Sequence, residues 1–202
     1  MRGGRRPARR TRRTITGVSL SIEPMTVAAV EADRPALVAL LRDAVESGAS
    51  VGFLPPLGDG EAGAYWATVT AGLRDGSRIV LGARDTELGL VGSAQLELAM
   101  RANARHRAEV TKVMVHRRAR RRGVGRALML ALEDHARRLG RTTPILDTRQ
   151  GDLSEALYRT VGWTFAGAIP DYARSATGAL DATAFYYKVL GPISPAQPAA
   201  PE

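Results

Sequence analysis

The chain has 202 residues, a length that suits one domain with its own core; its 45% hydrophobic and 24% charged content is ordinary for a soluble globular protein. It has no cysteine, which excludes a disulfide framework, a thiol nucleophile and a cysteine zinc site; its three scattered histidines make no metal-ligand cluster, and no apolar run is long enough to span a membrane. The net charge of +9 sits mostly in a tail: residues 1–13 hold seven arginines, and without them the charge is +2.

That tail, rich in Gly, Arg and Pro, has nothing to pack, so residues 1–13 are expected to be disordered. A twin-arginine export signal is rejected because Ser19, Ser21, Glu23 and Glu31 interrupt any apolar segment over residues 14–33, and a cytoplasmic location follows as the expectation. One domain is expected over residues 14–190. Residues 15–23 have strand character, with Ile15, Val18, Leu20 and Ile22. Asp33 before Pro35 predicts a helix start, Leu37, Leu40, Leu41, Ala44 and Val45 follow at helical spacing, and Gly48 is the stop. Residues 49–60, with three glycines and two prolines, predict a long loop. Helical spacing resumes from Glu61 to Leu73. Strands are predicted from Arg78 to Ala83, Leu88 to Met100 and Glu109 to Val115, with a hairpin turn between Asp85 and Gly89. The helix from Gly123 to Leu139 carries one apolar stripe of Val124, Ala127, Leu128, Ala131, Leu132 and Leu139. A buried strand from Thr142 to Thr148, a short helix through Tyr158 to Thr160, a strand after Val161 and a last strand from Thr183 to Leu190 complete the domain. Residues 191–202, holding four prolines, are expected to be a disordered tail. Strands, helix, strand, helix and two strands give an α/β (α+β) architecture: a mixed central β-sheet flanked by helices.

The most informative stretch runs from Val113 to Leu128. An apolar strand end, Val113 to Val115, leads into an arginine-rich turn, and Gly123 and Gly125 then open a helix. Glycine without a Cβ lets backbone approach a ligand closely, and the first-turn amides of a helix, aided by its dipole, favour an anion. Arginines beside the loop add charge-assisted hydrogen bonds. The physical reading is a phosphate or pyrophosphate pocket formed by Val113, Val115, Arg120, Arg121, Arg122, Gly123, Val124, Gly125, Arg126 and Ala127. The dinucleotide pattern G-x-G-x-x-G is broken at Leu128, and the phosphate-loop pattern G-x-x-x-x-G-K-[ST] is absent.

Arg120-x-x-Gly123-x-Gly125 resembles the signature of the GNAT superfamily of acetyl-CoA-dependent N-acetyltransferases. A second block, Ala156-Leu157-Tyr158-Arg159-Thr160-Val161-Gly162-Trp163, resembles that family's helix-tyrosine signature, and Glu109-Val110 at the start of the central strand is similar too. The resemblance covers roughly residues 14–190. It implies the GNAT fold, acetyl-CoA as cosubstrate, no metal, a coenzyme pyrophosphate held on the loop amides, a tyrosine (Tyr158) pointing at the coenzyme sulfur, and an oxyanion donor at the strand amide near Val115. Within the superfamily, Gly48-Ala49-Ser50-Val51-Gly52-Phe53-Leu54, Leu146-Asp147-Thr148 and Ala182 to Lys188 resemble the tabtoxin-resistance acetyltransferases. Direct transfer of acetyl to a primary amine, of a small molecule that is amino-acid-like or an antibiotic or toxin, is the expectation.

In that chemistry the amine must lose a proton and the thiolate must gain one. Tyr158, a phenol of pKa about 10, is the expected acid. The base is Glu109 or Asp147, or either through water; Asp147 stands in an otherwise apolar strand, where burial would demand a partner. Phe53, Tyr65, Trp66 and Tyr172 are candidates to line the acceptor pocket, whereas His106, His116 and His135 are expected on the surface or in the core. Three other readings stay open: a protein N-acetyltransferase, a non-catalytic acetyl-CoA-binding module, and a nucleic-acid-associated protein using the arginine tail. The expected partner is a small-molecule amine, without membrane and with nucleic acid disfavoured; a homodimer is left open.

Overall fold

The computed structural model describes residues 11–15 and 18–191, with side chains from Leu20 onward. Eight strands form one mixed sheet in the order β1-β2-β3-β4-β5-β6-β8-β7. The strands are β1 (Thr11–Ile15), β2 (Val18–Pro24), β3 (Arg78–Asp85), β4 (Gly89–Leu98), β5 (Arg107–Val115), β6 (Thr143–Arg149), β7 (Thr164–Arg174) and β8 (Leu180–Tyr187). The helices are α1 (Val27–Ala32), α2 (Arg34–Glu46), α3 (Asp59–Asp75), α4 (Val124–Arg138) and α5 (Ser154–Thr160). All neighbouring strands are antiparallel except β5 and β6, which run parallel with α4 as the crossover.

Alternation along the strands gives the sheet two apolar faces, each covered by helices. Leu81, Leu96, Val110 and Leu146 pack with Leu128, Met129 and Leu132 of α4 on one face. Val80, Leu90 and Met114 pack with Val30, Leu37, Leu41, Trp66 and Val69 of α1 to α3 on the other. The apolar stripe predicted for α4 is the one buried, with Val124, Leu128 and Leu132 inside and Leu139 exposed beyond the last turn.

The expected domain start at Thr14 falls inside β1, which pairs with β2 from Thr11↔Ile22 to Ile15↔Val18. Strand pairing uses main-chain groups, so it needs no apolar periodicity. Residues 1–10 of the arginine tail and 192–202 of the C-terminal tail lie outside the described residues. The six-residue α1, capped by the Thr26 hydroxyl accepting from Ala29 N at 3.1 Å, was not expected, and α3 begins before Glu61. The largest departure is the β7–β8 hairpin. β7 runs eleven residues, faces largely outward and is interrupted by register shifts at Phe165/Gly167 and Ile169/Ala173, so no clean alternation marks it.

Candidate active site

β5 and β6 pair at only three positions, Arg107↔Thr143, Ala108↔Pro144 and Glu109↔Ile145, and then part. The fork they leave opens on a cavity of about 740 Å³. Its walls are Val113 to Val115, the start of α4, Ser154, Leu157 and Tyr158 of α5, Ala44 of α2, and Ser47 to Ala49 after it. Gly123 caps α4 at φ 75 with no side-chain cap, so the first-turn amides face the cavity unanswered by protein side chains. A Cβ on Gly125 would stand 3.2 Å from Leu157 Cδ2 and 3.7 Å from Val115 Cγ2, which fixes how closely backbone and α5 approach there.

Of the expected loop residues, Val113, Val115, Arg120, Arg121, Gly123, Val124, Gly125 and Arg126 line this cavity. Arg122 and Ala127 do not: the Arg122 guanidinium turns to Asp85, at 3.5 Å, and Ala127 faces the α4 side of the core. Arg120 is itself held, with Nε donating to Val115 O at 3.0 Å and Nη2 to Ser47 Oγ at 2.5 Å. The whole turn is anchored by Asp43 of α2, which accepts from Arg117 N at 2.9 Å and Arg117 Nε at 2.5 Å. Arg149 ties β6 to the loop after α2, donating to Gly48 O at 3.0 Å. Neither Asp43 nor Arg149 carries a local pattern that announces these roles.

Tyr158 stands in the cavity, buried, beside Ser154; burial pushes its phenol well above the ordinary value and keeps it protonated. Glu109 and Asp147 do not line this cavity. They lie on the other side of the fork, where the parallel register sets Glu109 opposite Ile145 and Asp147 two residues further on the same face. Asp147 is solvent-exposed, contrary to the burial expected from its apolar neighbours: Leu146 and Thr148 face inward and Asp147 alternates outward. Partial desolvation still raises the Asp147 carboxyl, opposed by the Lys112 charge. Burial raises Glu109, and the charges of Asp147 and Glu97 raise it further.

β5 carries a bulge here. Gln95 pairs with Thr111 and Ser93 with Met114, so Lys112 and Val113 together oppose Ala94, and Lys112 takes φ 51. Thr111 and Lys112 therefore both reach the α3 side of the sheet, while Val113 turns to the cavity. On that side Thr111 Oγ1 donates to Glu97 at 3.2 Å, Arg78 pairs with Glu97 at 2.8 Å, and Tyr65 donates to Gln95 Oε1 at 2.9 Å. Lys112 Nζ lies 5.9 Å from the Phe53 ring centre and 5.7 Å from that of Tyr65. A second cavity of about 250 Å³ lies between residues 48–55 and the β7–β8 hairpin, with Gly52, Phe53, Arg149, Arg174 and Asp181 in its walls. Among the four expected pocket aromatics, Phe53 is there; Tyr65 sits behind it, Trp66 is fully buried in the core, and Tyr172 is on the exposed hairpin against Phe185. His116 accepts from Arg118 N at the turn, and burial lowers His135 to about 4. Among the described residues no group of His, Asp and Glu is placed to hold a metal, and no helix is long and apolar enough to cross a membrane.

The family model of the acetyltransferase (GNAT) family matches residues 39–163. A ribosomal-protein-alanine N-acetyltransferase from Brucella melitensis is 30% identical, with 84% of this chain and 99% of that chain covered at a TM-score of 0.70. Two more distant structures share the fold. A phosphinothricin acetyltransferase from Sinorhizobium meliloti in complex with acetyl-CoA is 22% identical, covering 85% and 89% of the two chains at a TM-score of 0.68. A putative acetyltransferase from Salmonella typhimurium, solved with its cofactor acetyl-CoA, is also 22% identical, covering 91% and 98% at 0.70. With the forked sheet, the glycine-opened α4 and the match over most of the domain, the chain belongs to the GNAT acetyltransferase family.

Proposed function

We propose that the protein transfers an acetyl group from acetyl-CoA directly to the primary amine of a small molecule. The observation that carries this reading is the uncapped, glycine-opened start of α4 facing the same cavity as Tyr158. The residues fit the cosubstrate: unanswered amides of Val124 to Arg126 and the Arg121 and Arg126 side chains suit a pyrophosphate, and Gly125 leaves the approach clear. The fork between β5 and β6 suits the pantetheine arm, which ends near Tyr158. Tyr158 donates its proton to the departing thiolate. Glu109 or Asp147, directly or through water, takes the proton of the amine. Holding amine and thioester together supplies much of the acceleration. With no cysteine in the chain, transfer proceeds without a thiol-bound acyl enzyme.

A small acceptor is supported by the second cavity of about 250 Å³ and by the resemblance of residues 48–54, 146–148 and 182–188 to the tabtoxin-resistance acetyltransferases. Acetylation of a protein N-terminus is the second reading, favoured by the relative from Brucella melitensis. Incubating the protein with acetyl-CoA and either small amines or alanine-started peptides, and following free thiol and product mass, separates the two. Acetylated small amines are expected; acetylated peptides alone would replace the first reading with the second, and no thiol release beyond slow hydrolysis would contradict both.

A further inference from the structure

Lys112 is an unusual residue for its place. The bulge that carries it costs a non-glycine residue a left-handed backbone, at φ 51. Its stem is half-buried, yet among the described residues its ammonium has no hydrogen-bond acceptor and no carboxylate within ion-pairing distance. Two aromatic rings hold it, Phe53 from the loop and Tyr65 from α3. It reaches the cavity wall at Gly52, where a Cβ would stand 3.5 Å from Nζ. The other charges nearby are sorted. Glu97 is taken by Arg78 and Thr111. Arg149 is taken by Gly48 O, Asp152 and Asp181, and Arg174 donates to Gly178 O at 2.7 Å. Glu109 and Asp147 have neither a hydrogen bond nor an ion pair from a described side chain, although both act electrostatically on Lys112.

Lys112 and Glu109 are partly buried and no described side chain pairs them, which is unfavourable unless a ligand completes both, whereas the exposed Asp147 is solvated. Burial makes an unpaired charge unfavourable, and pairing it recovers that cost. The complement is a molecule with charges of both signs a few bonds apart.

We propose that Lys112 binds an anionic group of the acceptor, so that the amine acetylated belongs to a small zwitterion bearing a carboxylate or similar oxyanion a few bonds from the nitrogen. This rests on the small-amine reading above and adds to it the chemical class of the acceptor and the residue that selects it. The amine faces Glu109 and Asp147 while the oxyanion meets the Lys112 ammonium beside Gly52. A peptide N-terminus, whose neighbouring carboxyl is an amide, leaves Lys112 without its partner.

The test compares matched acceptors that differ in one charge. Steady-state transfer from acetyl-CoA is measured for the L-amino acids, their primary amides and short alanine-started peptides, with the wild type, Lys112→Met and Lys112→Arg. A charge-assisted hydrogen bond predicts that the best amino acid exceeds its amide in kcat/KM by on the order of tenfold to a hundredfold, mostly through KM. That preference should collapse toward one in Lys112→Met and return in part in Lys112→Arg. Calorimetry with acetyl-CoA checks that each variant is folded and binds the cosubstrate. Amides or peptides used as well as amino acids by the wild type would overturn the proposal, as would a preference that persists in Lys112→Met. Absence of transfer to every amine by an enzyme that binds acetyl-CoA would instead contradict the small-amine reading itself, and this proposal with it.

Discussion

Asp43, near the end of α2, and Arg117, in the turn after β5, are joined twice: the carboxylate accepts from the Arg117 main-chain N–H at 2.9 Å and from its Nε at 2.5 Å. Residues 74 apart in sequence thereby fix where the basic turn begins, and so where α4 presents its first amides. Burial raises the Asp43 carboxyl, but the hydrogen bonds from Arg117 outweigh it and hold the group below the usual carboxylate range.

Asp43→Asn should therefore cost about 1–3 kcal/mol of stability and weaken acetyl-CoA binding by loosening the turn. The sign of the pH dependence follows from a folded-state pKa below the unfolded one. The Asp43 contribution is fully present above the unfolded value of about 3.9 and is lost as pH falls through the lower folded value. Thermal unfolding of wild type and variant should differ most near neutrality and converge in acid. A difference that grows as pH falls would contradict the assignment.

Tyr158→Phe should leave acetyl-CoA affinity nearly intact and lower kcat on the order of 10²-fold, the scale of a lost general acid. Burial keeps the phenol protonated through the working range, so its loss should reduce the rate without moving the alkaline limb of the profile. Unaltered turnover in the variant would reduce Tyr158 to packing.

The two carboxylates can be told apart by pH. Both are raised, so the base forms only above the ordinary carboxylate value of about 4, and kcat/KM should climb through a limb displaced to higher pH. The charge of Asp147 raises Glu109. If Glu109 is the base, Asp147→Asn moves that limb to lower pH; if Asp147 is the base, the variant loses most of its kcat, and Glu109→Gln keeps its rate. Two variants with wild-type profiles would send the proton by another route.

Much of this was legible in the sequence where the chain signals locally. The α4 stripe, the Gly123-x-Gly125 opening and the Tyr158 block each lie within one element, and the structure places Gly123, Gly125 and Tyr158 around one cavity. What was not legible depends on pairing between distant segments. The bulge at Lys112 is defined only by its register against Ala94, and simple alternation would have sent Thr111 and Lys112 to opposite faces. The apolar neighbours of Asp147 suggest burial, but a strand turns alternate residues outward and Asp147 is one of them. Arg122 belongs by sequence with the other loop arginines, but a charge run does not report direction, and Asp85 captures its guanidinium. β7 gave little signal because it is an edge strand with outward-facing residues and two register shifts.

Acetyl-CoA binding at the start of α4 is the property to measure first. Titration calorimetry of acetyl-CoA, and of S-acetylpantetheine, which shares the acyl arm but lacks the pyrophosphate, tests it on the wild type and on Gly125→Val. Because a Cβ at Gly125 already meets Leu157 at 3.2 Å, the larger valine should obstruct the approach. Acetyl-CoA is expected to bind the wild type far more tightly than S-acetylpantetheine, and folded Gly125→Val to lose most of that advantage. Equal affinity for the two ligands, or acetyl-CoA affinity unchanged in Gly125→Val, would contradict that expectation.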